Sequence, residues 1–155
     1  MAFDLFSELT ALLAALEDDE ITYALCGGLA MAVHGYPRAT VDIDLMVLAD
    51  DVDRAFAVAE GRGYTIRAQP MSFADGRVEI RRISKLDPET HEPIPLDLVL
   101  VTPATRAAWE TRLRLLWEGG SLWVVSRDGL IALKTLRASK QDEADIERLT
   151  EQDIG

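Results

Sequence analysis

The sequence predicts one α/β (α+β) domain built on a mixed β-sheet. Its 155 residues suit a single domain with a buried core. Apolar runs typical of strands alternate with amphipathic runs typical of helices, and neither a repeat nor a low-complexity tract interrupts them. We therefore expect a single domain over residues 1–155, with an N-terminal helix in 1–20, a sheet core in 22–101, and a strand with helices in 102–155.

Six helices are predicted from apolar spacing and from residues that favour helix ends. In the first, apolar side chains recur every three or four residues from Phe3 to Leu16, so an amphipathic helix should end near Glu17. Ser126 is a suitable N-cap for a later helix. The remaining five are expected at residues 29–34, 50–62, 102–110, 127–139 and 142–150.

Five strands are predicted from short apolar runs. They cover residues 23–26, 41–48, 76–84, 96–101 and 122–125. Between the third and the fourth, the segment from Lys85 to Pro95 contains three prolines, which lack the backbone N–H that a central strand donates. We therefore expect a turn or loop in that segment.

Two aspartates separated by one residue are the main candidates for chemistry. Successive side chains of a strand point to opposite faces, so Asp42 and Asp44 should share a face while Ile43 points to the core. The pattern Asp-x-Asp is also common at exposed strand ends, but here it alternates with strong strand formers. Two carboxylates on one face repel each other, and Mg²⁺ bound together with substrate phosphates would offset that repulsion. The pair therefore favours phosphate chemistry.

A third acid lies in a later apolar strand. Asp97 stands within Ile94–Val101, where a buried carboxylate is costly unless it is paired, hydrogen-bonded or bound to a metal. One interpretation is that it joins Asp42 and Asp44. The alternative is an ion pair with an arginine of a neighbouring strand.

Small and basic residues precede the acidic strand. Gly27 and Gly28 follow a strand directly and could let the backbone approach a phosphate at a helix N-terminus, although a glycine pair alone often marks a plain turn. Thr40 should point to the same face as Asp42 and could orient it. Arg38 could contact a phosphate or brace the aspartates, and the sequence leaves both alternatives open.

These motifs together resemble the nucleotidyltransferase superfamily, which has the polymerase-β-like fold. The string from Gly27 to Leu45, followed by Leu96-Asp97-Leu98, is similar to the branch of AbiEii-type toxins and their stand-alone bacterial relatives, and the wider resemblance runs from Thr22 to Leu149. It implies a mixed-sheet core with flanking helices and a C-terminal helical pair. It also implies transfer of a nucleoside monophosphate from an NTP to a hydroxyl, with release of pyrophosphate.

The resemblance also implies roles for the three acids. Asp42 and Asp44 would be catalytic residues that bind Mg²⁺ (or Mn²⁺) bridging the NTP phosphates. Asp97 would be a third catalytic and metal-binding residue, either on a second metal or as the group that activates the attacking hydroxyl. Gly27, Gly28, Arg38 and Thr40 would belong to the nucleotide-binding set.

Two residues near the C-terminus complete the set that the resemblance implies. Lys134 would contact the triphosphate, and Asp145 on the next helix would complete the pocket, with Asp142 as the competing choice. The ordinary alternative for Lys134 is a lysine that extends from an apolar helix face toward solvent.

Charge and composition narrow the class of partner. The formal net charge of −11 argues against broad, non-specific binding of nucleic acid. Five basic residues between Arg67 and Lys85 could bind a triphosphate or an RNA end, or simply protect a solvated strand edge. No apolar run is long enough to cross a membrane, and Met1–Asp4 lacks the basic start of a signal peptide. The single cysteine, Cys26, cannot form a disulfide within the chain. Together these features favour a cytoplasmic protein.

The acceptor and the partners stay open at this stage. The AbiEii resemblance suggests a toxin of a toxin–antitoxin pair, with an antitoxin protein as partner and a tRNA 3′ end or a protein hydroxyl as acceptor. A small-molecule acceptor is a further alternative. The rival to an enzyme is a non-catalytic relative that keeps the fold to bind a nucleotide or a protein.

Overall fold

Eight strands form one mixed sheet in the computed structural model, which describes residues 4–151. The strands are β1 (Ala24–Cys26), β2 (Ile43–Val47), β3 (Ile66–Arg67), β4 (Met71–Phe73), β5 (Val78–Leu86), β6 (Pro93–Leu100), β7 (Leu113–Trp117) and β8 (Gly120–Val124). Their order across the sheet is β3-β5-β6-β2-β1-β8-β7, and β4 pairs with the outer part of β5. The predicted fold class is therefore confirmed.

Strand β2 lies at the centre of this sheet. It runs parallel to β6 and antiparallel to β1, while β5 and β6 form a long antiparallel hairpin. Strand β8 runs parallel to β1, and β7 pairs with it to form the outer hairpin. A mixed sheet of this kind brings residues that are far apart in sequence into one row of cross-strand neighbours.

Within residues 4–151, six α-helices and one 3₁₀ turn accompany the sheet. They are α1 (Leu5–Asp18), α2 (Gly27–Val33), the 3₁₀ turn Ala49–Asp51, α3 (Val52–Glu60), α4 (Arg106–Glu110), α5 (Arg127–Arg137) and α6 (Lys140–Glu151). Ser126 is the N-cap of α5, as predicted, because its hydroxyl accepts a hydrogen bond from the backbone N–H of Gly129 at 3.0 Å. Within residues 4–151 the structure has no helix with the length and apolar character needed to cross a membrane.

The two faces of the sheet have different neighbours. Side chains of Ile43, Leu45 and Val47 are fully buried on one face. Lys85 of β5, which shares that face by strand alternation, contacts Glu8 of α1 at 2.5 Å, so α1 covers this face. Helix α2 packs against β1 and β2 and also contacts α5. The acidic side chains point to the other face.

Several predicted boundaries were wrong. The predicted turn or loop over 85–95 is shorter than expected: β5 continues to Leu86 and β6 begins at Pro93, which leaves a turn over residues 87–92. Strand β2 begins at Ile43, so Asp42 lies just before it rather than within it. The sequence did not predict β3, β4 or β7. The first helix is confirmed from Leu5 onward, and Phe3 lies outside the described residues.

Candidate functional site

A single row of cross-strand neighbours carries the candidate site. Asp44 of β2 pairs in register with Cys26 of β1 and with Asp97 of β6, and Asp97 pairs with Arg82 of β5. Residues opposite each other in neighbouring strands point to the same face. Asp97 is 1 % exposed and Asp44 is 7 % exposed, while Asp42 is half-buried. The fold thus brings the three predicted acids together on one face.

The acids influence one another electrostatically. Burial raises the pKa of Asp44 to about 7, and the nearby charges of Asp97 and Asp42 add to that rise. Burial also raises the pKa of Asp42, again with a contribution from Asp97. The cluster therefore disfavours its own full ionisation and would be stabilised by a cation.

An arginine forms an ion pair with one of these carboxylates. Arg82 donates from Nε to Asp97 Oδ1 at 2.6 Å and from Nη2 to Asp97 Oδ2 at 2.9 Å. These hydrogen bonds hold the pKa of Arg82 above its ordinary value. The alternative interpretation of Asp97, an ion pair with an arginine of a neighbouring strand, is therefore the arrangement that the structure contains. The sequence analysis counted Arg82 among the five basic residues between Arg67 and Lys85 but did not identify it as the partner of Asp97.

The donor set suits a divalent cation only in part. Among residues 4–151, no group of three or more His, Cys, Asp and Glu side chains lies in an arrangement that could hold a metal ion. Both oxygens of Asp97 accept from Arg82, which leaves Asp42 and Asp44. Mg²⁺ is often held by one or two carboxylates together with substrate phosphates. The carboxylates of Asp42 and Asp44 fit that use.

The glycine pair allows close approach to the acidic row. Gly27 has φ +68°, and a Cβ at this position would lie 2.1 Å from Oδ2 of Asp44. A Cβ at Gly28 would lie 2.9 Å from Oγ1 of Thr40 and 3.2 Å from Cζ of Arg38. The absence of side chains at both positions thus makes room for site residues.

A buried ion-pair network joins the C-terminal helices to the segment before β2. Asp145 of α6 is fully buried and accepts from Lys134 Nζ at 2.8 Å, from Arg38 Nε at 3.0 Å, and from Gln141 at 2.9 Å. Burial alone would raise the pKa of Asp145, but hydrogen bonds from Lys134 and Arg38 outweigh it and lower the pKa. Lys134 is 4 % exposed, so the alternative of a lysine extending to solvent is wrong.

The network gives Arg38 a partner that neither sequence alternative named. Its guanidinium pairs with Asp145 and, among the described residues, makes no hydrogen bond to Asp42 or Asp44, while its contact with a phosphate stays a prediction. Its charge still lowers the pKa of Asp42 through space. Arg38 therefore positions Asp145 and, through it, Lys134.

Asp142, the competing choice for the acid on α6, has a different structural role. The hydroxyl of Ser139 accepts from the backbone N–H of Asp142 at 3.0 Å, and the Asp142 carboxylate accepts from the backbone N–H of Ser139 at 3.1 Å. This reciprocal pair is a capping box at the start of α6. Asp142 also lies 3.6 Å from Lys134 Nζ, a longer contact than that of Asp145.

A cleft beside the acidic row combines charged and apolar walls. It contains about 430 Å³ of empty space, part of it open to solvent. Its lining comprises Cys26, Gly27, Asp44, Val78, Ile80, Val99, Leu130, Leu133, Lys134, Arg137 and Asp142. Asp44 of the acidic row and the buried Lys134 thus line one concave surface.

Arg137 is the cleft residue that sequence reasoning missed. It is exposed, makes no ion pair with another described residue, and contacts the ring of Phe73 at 5.9 Å from the centroid. Its charge lowers the pKa of Asp44 and of Asp42. Its position three residues after Lys134 on one helix is the signal that could have found it.

The amino-acid sequence of residues 10–153 matches the family described as "Nucleotidyl transferase AbiEii toxin, Type IV TA system". The chain belongs to the AbiEii family. It is a nucleotidyltransferase, and the resemblance stated from the glycine pair and the acids is confirmed. A search of curated proteins gave no match to this AbiEii-family chain.

Solved structures share the fold of this AbiEii-family nucleotidyltransferase. The lincosamide antibiotic adenylyltransferase LnuA, solved with lincomycin bound, is 18 % identical with a TM-score of 0.65, covering 94 % of this chain and 96 % of LnuA. ANT(2″)-Ia, solved with adenylyl-2″-tobramycin, is 15 % identical with a TM-score of 0.67, covering 96 % and 88 %. At this level of identity the likeness establishes the fold alone.

Proposed function

We propose that the protein transfers a nucleoside monophosphate from an NTP to a hydroxyl acceptor in a reaction that depends on Mg²⁺ or Mn²⁺. Asp42, Asp44 and Asp97 are the proposed catalytic and metal-binding residues. The observation that carries the proposal is that Asp44 is the cross-strand neighbour of Asp97 and lines a cleft that Lys134 also lines. The whole of residues 1–155 would serve as one nucleotidyltransferase domain.

The divalent cation would neutralise charge on the phosphates of the bound NTP. In the transfer itself, the acceptor oxygen forms a bond to the α-phosphorus while the bond to the β-phosphate oxygen breaks and pyrophosphate leaves. Asp97 is the proposed acceptor of the hydroxyl proton, or else a further ligand of the cation. Asp42 and Asp44 would hold the cation.

Cationic and small residues would position the triphosphate. Lys134 and Arg137 share the wall of the cleft and carry the charges that an NTP requires. Gly27 and Gly28 leave room for a phosphate to approach the backbone at the start of α2. Thr40 lies beside Gly28 and belongs to the same proposed set.

Two more residues would act through Lys134. Asp145 accepts from Lys134 at 2.8 Å and from Arg38 at 3.0 Å, so it fixes the direction in which the ammonium points. We propose that these two residues position Lys134 rather than contact the nucleotide. Without Asp145, the buried ammonium would lose its closest counter-charge.

The acceptor classes follow from the family and from the structural relatives. The family is described as toxins of toxin–antitoxin systems, which makes a tRNA 3′ end or a protein hydroxyl a candidate acceptor and an antitoxin a candidate partner. The two structural relatives were solved with lincomycin and with adenylyl-2″-tobramycin bound, which adds small hydroxylated molecules to the candidates. The net charge of −11 argues against broad binding of nucleic acid.

A labelled-nucleotide screen tests the proposal. Each of the four α-labelled NTPs is incubated with the protein and with total RNA, lysate protein, lincomycin or tobramycin, in Mg²⁺, in Mn²⁺ or in EDTA. We expect transfer of label to one acceptor class only with a divalent cation. Asp42→Ala should abolish transfer without unfolding the chain, whereas Asp50→Ala, in the exposed turn after β2, should not.

Two results would contradict the proposal. Full activity of Asp42→Ala would end the assignment of that acid. A thermal shift with NTP but no label transfer under any condition would favour the rival interpretation, a nucleotide-binding relative without catalysis.

A further inference from the structure

We propose that the guanidinium of Arg82 is a resident counter-cation of the acidic row, and that a divalent cation gains Asp97 as a ligand only when Arg82 leaves it. The inference rests on the proposed function, because it concerns how the metal would enter that site.

Arg82 competes directly with a divalent cation for the carboxylate of Asp97. Its Nε and Nη2 each donate to one carboxylate oxygen, at 2.6 and 2.9 Å, so the carboxylate is engaged on both sides. A planar guanidinium matches a carboxylate in this two-point manner, which a lysine could not reproduce. A cation ligated by Asp97 has to take at least one of those oxygens.

The electrostatics extend beyond that pair. The charges of Asp97, Asp42 and Asp44 all raise the pKa of Arg82, after the larger contribution of its hydrogen bonds to Asp97. The guanidinium therefore already supplies positive charge to all three acids. A divalent cation among them would repel the guanidinium at short range, since like charges in a partly buried site are weakly screened.

The exposure of the two partners suggests which one moves. The side chain of Asp97 is 1 % exposed and fixed in a central strand, whereas that of Arg82 is 32 % exposed. Arg82 can thus reach water by rotating its side chain, while Asp97 cannot. Exchange of the guanidinium for a metal keeps the buried carboxylate paired in both states, which avoids an uncompensated buried charge.

Mn²⁺ binding measured without turnover tests the inference. Mn²⁺ is titrated into the full chain without nucleotide, and the free ion is followed by electron paramagnetic resonance. We expect Arg82→Gln to bind Mn²⁺ about tenfold more tightly than the wild-type chain, because the competing cation is gone. The matched control is Arg81→Gln. Arg81 directly precedes Arg82 on β5, points to the opposite face of the sheet and pairs with Glu79. Its replacement should therefore leave the Mn²⁺ affinity unchanged.

The outcomes separate this inference from the proposed function. Unchanged or weaker Mn²⁺ binding by Arg82→Gln, with tight binding by the wild type that Asp44→Asn abolishes, overturns the inference and leaves the metal site in place. Absence of Mn²⁺ binding by Arg82→Gln without nucleotide overturns the inference, and absence of binding in every variant even with a non-hydrolysable NTP present overturns both.

A measurement on the wild-type chain covers the case in which Arg82→Gln does not fold. The Nε–H resonance of Arg82, assigned from its loss in Arg82→Lys, should be protected from solvent exchange in EDTA because of the hydrogen bond to Asp97. Saturating Mg²⁺ should shift this resonance and increase its exchange with water. A resonance that stays unchanged and protected in saturating Mg²⁺ would overturn the inference.

Discussion

The replacement Asp44→Asn should stabilise the metal-free protein while it removes activity. Asp44 is buried against Gly27. Because of this burial, the pKa of its carboxyl is raised to about 7, far above the ordinary value of 3.8. In the unfolded chain this carboxyl loses its proton near the ordinary value. Between these two values the folded state binds more protons than the unfolded state, so the free energy of unfolding falls as the pH rises.

The size of this effect follows from the two pKa values. A difference of about three pKa units corresponds to at most roughly 4 kcal/mol between pH 4 and pH 8. An asparagine has nearly the same shape and no charge, so it should remove most of this loss. We expect Asp44→Asn and the wild type to have similar stability at pH 4 and the variant to be clearly more stable at pH 8.

Urea unfolding in EDTA at pH 4, 5, 6, 7 and 8 measures this difference. Subtracting the two curves cancels the titration of groups that the variant shares with the wild type. Asp50→Asn, in the exposed turn after β2, is the control and should show no such divergence with pH. If wild type and Asp44→Asn keep a constant difference in unfolding free energy from pH 4 to pH 8, the reasoning from burial and neighbouring charge is refuted.

Three further predictions follow from the site. Gly27→Ala should destabilise the chain by at least about 1 kcal/mol and impair transfer, because the residue has φ +68° and its Cβ would meet the Asp44 carboxylate; urea unfolding with near-wild-type stability would contradict this. Arg137→Ala should raise the KM for NTP about tenfold with little change in stability, since its exposed side chain forms no ion pair with a described residue; an unchanged KM in steady-state assays would reject the contact. Ser139→Ala should lower the unfolding free energy by about 1 kcal/mol through loss of the capping box with Asp142, and unfolding in denaturant with an unchanged midpoint would count against that cap.

The central part of the fold could be predicted from local sequence signals. Three elements have sequence patterns that lie wholly within the element itself: the strand that follows Asp42, the helix capped by Ser126 and the amphipathic first helix. The connection between β5 and β6 was predicted too long because Pro93 and Pro95 suggest a loop, whereas both lie in β6. In the fold, β2 pairs with β6 only from Leu96 onward, so these prolines have no neighbour on that side that needs an N–H donor.

The acidic residues of the candidate site could be predicted from the sequence, whereas its basic residues could be predicted only in part. Asp44 and Asp97 were identifiable because a carboxylate in an apolar strand requires an explanation. The partners of Arg82 and Arg38 depend on strand register and on the docking of α6, which no local pattern encodes. Arg137 has no motif of its own, and only its spacing of three residues from Lys134 and its position in the cleft distinguish it from other exposed arginines.

The buried ion pair between Lys134 and Asp145 couples the binding of a ligand in the cleft to the docking of helix α6. Helix α6 supplies the anion that orients a lysine on the cleft wall, so undocking of α6 would release that lysine from its set direction. Any ligand that prefers the oriented lysine must in return favour the docked helix, because such coupling is reciprocal. Slower amide exchange throughout α6 would therefore report occupancy of the cleft, even for a molecule that never touches that helix.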